Sequence, residues 1–132
     1  MDNIKYFLKS NKKQRKNEFF PITNDLEDGD GNVVEWELKP LTTDEVEALR
    51  TEISSKGNYD QNKYIRKLIC ESVVVPNLNN IELQDSYGVK SAEELLTKIL
   101  DCPGDYYKLV EKVLKLSKLD ETLADKIAEA KN

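Results

Sequence analysis

The stretch Val33-Val34-Glu35-Trp36-Glu37-Leu38-Lys39-Pro40-Leu41-Thr42-Thr43-Asp44-Glu45 changes its period in the middle, and that change decides the fold. Val34, Trp36 and Leu38 alternate with Glu35, Glu37 and Lys39, the two-residue repeat of a strand with one apolar face. Pro40 ends the strand because it has no N–H for the ladder. Thr42 and Glu45 then stand at capping-box spacing, and Asp44 and Glu45 lie where the helix macrodipole favours acid. Val46, Leu49 and Ile53 continue as a helical stripe. Upstream, Phe20 and Ile22 alternate, and Asp28-Gly29-Asp30-Gly31-Asn32 supplies turn residues, so the two strands are expected to pair as a β-hairpin.

Downstream the pattern is helical. Tyr64, Leu68, Ile69 and Val73 mark a central helix that must stop near Pro76. A short segment from Ile81 to Ser86 ends at Gly88, the expected left-handed C′ residue. Ser91 and Glu94 repeat the capping-box spacing ahead of Leu95, Leu96, Ile99 and Leu100, a helix stopped by Cys102-Pro103-Gly104. Tyr106, Leu109, Val110, Val113 and Leu114 define another helix, and Leu119, Leu123 and Ile127 a last amphipathic one. At the N-terminus Ile4, Phe7 and Leu8 predict a short amphipathic helix over residues 2–9. The expected architecture is α+β, an N-terminal β-hairpin followed by a mainly α-helical body. It divides into a short helix and basic arm (1–17), a single domain (18–117) and a C-terminal amphipathic helix (118–132).

Composition narrows the chemistry. With 39% apolar and 34% charged residues, 132 residues suffice for one core without disulfides or metals. The longest aliphatic run is Val73-Val74-Val75, far short of the roughly 18 residues that span a bilayer. No long apolar segment opens the chain, so the protein is expected to stay in the cytoplasm where it is made. There is no histidine, and Cys70 and Cys102 form no Cys-x-x-Cys pair, so the usual zinc ligand sets and Ser-His or Cys-His nucleophiles cannot be assembled. The acidic loop is not an EF-hand: counting from Asp28, position 6 is Val33 and position 12 is Lys39. Gly29-x-Gly31 lacks the third glycine of a dinucleotide turn, and no phosphate loop is present. No cofactor and no catalysis are expected.

The net charge of −5 conceals an asymmetry. Residues 1–16 carry Lys5, Lys9, Lys12, Lys13, Arg15 and Lys16 against Asp2 alone, leaving 14 basic and 24 acidic residues for the remainder. A basic arm thus precedes an acidic body. It reads as a solvated linker, or as a contact for nucleic acid or an acidic partner; nucleic acid is the less expected, since the body would repel it.

Several runs carry a resemblance: Trp36-Glu37-Leu38-Lys39-Pro40-Leu41-Thr42, then Pro76-Asn77-Leu78 with Leu83-Gln84-Asp85-Ser86-Tyr87-Gly88-Val89, then Ala92-Glu93-Glu94-Leu95-Leu96 and Pro103-Gly104-Asp105-Tyr106. In this order, from about Gly31 to Val113, they resemble the XkdN-like tail assembly chaperones of contractile-tailed phages and defective prophages of Gram-positive bacteria. Asp105 departs mildly from the Glu expected there, and Phe19-Phe20-Pro21-Ile22 departs from a more polar first strand. The resemblance implies a non-enzymatic protein of the host cytoplasm, absent from the mature virion, that binds the tape measure protein and keeps it soluble. It further implies possible contact with the tail tube protein, a frameshifted longer form and a homo-oligomer. The alternatives are a structural tail or baseplate component, and a nucleic-acid-binding regulator. Within the motif, Trp36, Pro40, Pro76, Leu78, Leu83, Gln84, Tyr87, Gly88, Pro103 and Gly104 are expected to be structural, with Leu83 and Tyr87 packed inward. The apolar stripes of the later helices, Leu109, Val113, Leu119, Leu123 and Ile127, are the expected partner surface.

Overall fold

A computed structural model describes residues 3–55, 57 and 60–119. Strands β1 (Glu18–Phe20) and β2 (Trp36–Leu38) pair antiparallel, with Phe20 opposite Trp36. Between them the acidic loop closes as a turn, bridged by Glu27 and Val33. Asp28 accepts the amides of Asp30 and Asn32 on one carboxylate oxygen, at 2.8 and 3.0 Å, and Gly31 takes φ +82°. The carboxylate stabilises its own turn, as an Asx-type residue does.

A third strand was not foreseen. The central helix stops at Ser72, and Val73–Val75 forms β3, antiparallel to the open edge of β2 in a sheet of order β1-β2-β3. Three consecutive β-branched residues fit a pleated surface better than a helix end.

Five helices follow the sheet's first hairpin among the described residues: α1 (Thr43–Ser54), α2 (Gln61–Ser72), α3 (Ile81–Ser86), α4 (Ala92–Ile99) and α5 (Pro103–Leu116). The Thr42/Glu45 capping box forms in both directions. Ser91 caps α4 by accepting from the Glu94 amide. Pro103 occupies the first turn of α5, so it opens that helix as well as closing the one before it. The N-terminal segment differs from expectation: it forms two 3-10 turns, Ile4–Phe7 and Lys9–Asn11, with no buried residue.

The core sits around α2, which packs against α1, α4, α5 and β3. Trp36 is 1% exposed and lies with Leu38, Tyr64, Leu68, Ile69, Leu95, Leu96, Leu109, Val113 and Leu114 in one apolar cluster. Ion pairs strap its rim. Lys67 reaches Glu52 at 3.3 Å and Glu93 at 3.0 Å, tying α2 to α1 and α4.

Two serines fasten the link that passes from sheet to α1. The Ser72 hydroxyl donates to the Lys39 carbonyl at 2.7 Å, while the Lys39 amide donates to the Ser72 carbonyl at 2.8 Å. One residue past Pro40, the buried Leu41 amide donates to the Ser117 hydroxyl at 2.9 Å. Pro40 interrupts the ladder, and side chains from α2 and the end of α5 satisfy the backbone around it.

Candidate functional site

The residues expected to form a partner surface fall in three places. Leu109 and Val113 are both 0% exposed and belong to the core, which corrects the expectation that they face outward. An apolar helical stripe has the same spacing whether it faces a core or a client, and here α2 already covers it. Leu119 is half-buried, packed on the core just beyond α5. There the Leu119 amide bonds the Leu114 carbonyl at 2.9 Å and Lys118 takes φ +55°, a Schellman-type ending. Leu123 and Ile127 lie outside the described residues.

The motif residues divide between buried and exposed positions. Trp36 and Leu78 are buried; Pro40, Pro76 and Leu83 are half-buried. The Gln84 side-chain amide donates to the Leu78 carbonyl at 2.9 Å, and the Gln84 backbone carbonyl accepts from the Val89 amide beyond Gly88, which has φ +69°. Gly104 and Pro103 sit exposed in the first turn of α5. Tyr87 departs from expectation: it is 38% exposed, and Leu83 packs inward without it.

What the folded chain does expose is a cationic groove. Arg15 donates to the Leu41 carbonyl at 3.1 Å and so pins the arm to the body beside α5. Along α5, Lys108, Lys112 and Lys115 recur at i, i+4 and i+7, one face of the helix. Lys108 donates to the Pro21 carbonyl at 2.7 Å, and the Lys112 ammonium stands 5.0 Å from the centre of the Phe20 ring. Between arm, β1 and α5 lies a groove of about 430 Å³ with Phe20 and Leu116 as its apolar lining. Arg15, Lys16, Lys112, Lys115 and Lys118 surround it, against one lining carboxylate, Glu18. Glu111 pairs with Lys115 at 2.8 Å from outside the lining. A second groove of about 310 Å³ adjoins it, between the start of α1 (Thr42, Thr43, Val46, Glu47, Arg50) and Ser117 to Leu119. The lysine spacing on α5 was available in the sequence; only the fold shows that it faces the arm.

Reactive chemistry is muted elsewhere. Burial pushes the Cys70 thiol up to about 12, with Glu93 adding to the effect, so it stays protonated and inert at neutral pH. Cys102 is exposed, and neither cysteine is paired.

Comparison with known proteins gives a consistent picture. The model of the phage XkdN-like tail assembly chaperone family matches residues 4–131. The phage-like element PBSX protein XkdN of Bacillus subtilis is 26% identical over 121 residues, covering 85% of this chain and 82% of XkdN. The uncharacterized protein YqbN of the same organism is also 26% identical over 121 residues, covering 85% of this chain and 81% of its own. The crystal structure of YqbN superposes with a TM-score of 0.82 at 22% identity, covering 91% of this chain and 99% of that one, which shows a shared fold.

Proposed function

The chain belongs to the phage XkdN-like tail assembly chaperone family, and from that premise we propose that it binds the tape measure protein and keeps it soluble during tail morphogenesis, without catalysis. The observation that carries this reading is the extent of the family match, which spans residues 4–131 and so includes the arm, the sheet and every helix described. The physical task suits the chain. A long helical client exposes apolar stripes, and covering them needs only burial, at about 25 cal/mol per Å² of apolar surface. A net charge of −5 keeps a loaded complex soluble. The working place is the bacterial host cytoplasm, with the tail tube protein, a frameshifted longer form or a second copy as further partners. Leu119, with Leu123 and Ile127 outside the described residues, stays in this proposal as an apolar contribution to binding.

Co-expression tests it. With the tape measure protein of the same phage or prophage, this chain is expected to raise that protein's soluble yield without added nucleotide, and to be missing from purified particles by mass spectrometry. An unchanged yield would refute client binding, and stoichiometric presence in particles would instead make the chain a structural tail or baseplate component.

A further inference from the structure

We propose that the groove between the basic arm and α5 is the client seat, and that it takes an acidic amphipathic helix, one whose carboxylates flank an apolar stripe. This rests on the chaperone reading above and names the chemistry of the client.

The charge distribution is the first argument. In a chain of net charge −5, five cations line one groove of about 430 Å³, with Glu18 the one carboxylate among them. Gathering like charges opposes folding, so their convergence favours an anionic occupant. The arrangement is also held in place. Arg15 is anchored on the Leu41 carbonyl, and Lys112 lies over Phe20. Lys118 occupies a left-handed position, φ +55°, where glycine would be unstrained; a lysine there carries charge to the groove at a backbone cost.

Shape selects the class of anion. Lys112, Lys115 and Lys118 follow at three-residue steps along the last turn of α5 and the turn beyond it, about 9 Å, so the charge forms a line and not a single anion pocket. A helix lying alongside presents carboxylates every three or four residues at matching intervals. Between the cations the lining is apolar, Phe20 and Leu116, each partly buried against the core. That suits an apolar stripe. Nucleic acid fits less well: Lys112 already lies over Phe20, the one aromatic ring in the groove's lining on which a base could stack, and the acidic body opposes a long polyphosphate.

The test uses the full chain and three labelled probes in fluorescence anisotropy. They are a helical peptide about five turns long with Leu at every third or fourth position and Glu on both flanks, its Lys-for-Glu counterpart, and a DNA duplex of similar length. The acidic peptide is expected to bind, with affinity falling as salt rises, while the basic peptide does not. The pair Lys16→Glu and Lys112→Glu is expected to weaken binding about tenfold or more, since Lys16 is exposed and Lys112 half-buried at the groove wall, and reversing both turns attraction into repulsion. Circular dichroism and thermal melting of the variant establish that it folds; should it not, Lys118→Glu and Lys16→Glu as single changes carry the same expectation. Duplex DNA binding more tightly than the acidic peptide would overturn the proposal. So would a peptide that binds only after Asp120, Glu121 and Asp125 are changed to Asn, Gln and Asn, an outcome assigning the groove to the chain's own acidic segment. In the co-expression assay the two readings separate: a folded Lys16→Glu/Lys112→Glu chain that solubilises the client as well as wild type sinks the groove and leaves the chaperone function standing.

Discussion

Ser117→Ala isolates the hydrogen bond that closes the link between sheet and helices. The Leu41 amide donates to the Ser117 hydroxyl at 2.9 Å, with Leu41 at 2% and Ser117 at 8% exposure, so water cannot readily replace the lost oxygen. Leaving one buried amide without its acceptor costs about 1–3 kcal/mol. For a domain of this size, that corresponds to a fall in Tm of about 4–12 °C. Urea titration read by tryptophan fluorescence is a clean assay, because the chain has one tryptophan and it is buried. Two companions separate causes. Ser86→Ala removes a hydroxyl that donates to the Leu83 carbonyl at 2.7 Å in an exposed setting, and is expected to cost no more than about 0.5 kcal/mol. Ser117→Cys preserves side-chain volume but is a poor acceptor, and is expected to lose most of what Ala loses. If Ser117→Ala matches Ser86→Ala, the link does not depend on this bond. If Cys restores full stability, packing and not hydrogen bonding is responsible.

Further outcomes follow from the same geometry. Trp36→Ala is expected to cost about 3–5 kcal/mol, and the wild-type emission maximum to lie well to the blue of hydrated indole. Gly88→Ala forces an L side chain into φ +69° and is expected to cost about 1–2 kcal/mol by thermal melting, although open space surrounds the position. Glu45 is held at about 2, below its ordinary 4.5, first by the Lys39 side-chain hydrogen bond and next by the Thr42 amide. A depressed carboxylate stabilises the fold above its unfolded value and loses that contribution as pH falls from about 4.5 to 2. Full conversion would give about 3 kcal/mol, but Lys39 and Glu45 are 35% and 28% exposed, and screening reduces it to about 1 kcal/mol. Glu45→Gln is expected to flatten acid denaturation across that window. Cys70 is expected to resist alkylation at neutral pH until the chain unfolds, while Cys102 reacts at once.

Local signals were the legible ones. Thr42 and Glu45 announce their cap from spacing alone, Trp36 and Leu38 declare the buried face of β2, and Gly88 marks a left-handed stop. What escaped depends on partners distant in the chain. Val73-Val74-Val75 is a strand because β2 leaves an edge open 35 residues earlier, and a three-residue apolar run does not declare its own period. Leu109 and Val113 have the spacing of a sticky stripe and became core because α2 lies over them. The groove combines both limits: the lysine repeat on α5 is visible in the sequence, whereas its meeting with Arg15 and Lys16 is a property of the fold.

The bond from Leu41 to Ser117 spans 76 residues, and those from Thr23 to Asp105 and from Lys108 to Pro21 span 82 and 87. At a ribosomal pace of about 5–20 residues per second, Ser117 is added roughly 4–15 s after Leu41. Through that interval the hairpin lacks the helix that clamps it, and the arm lacks the lysines it is to face. Groove and core are therefore completed by the same late event, the docking of α5, so a chain still emerging from the ribosome lacks the proposed client seat. Under that proposal, competence to bind arrives only with the end of folding.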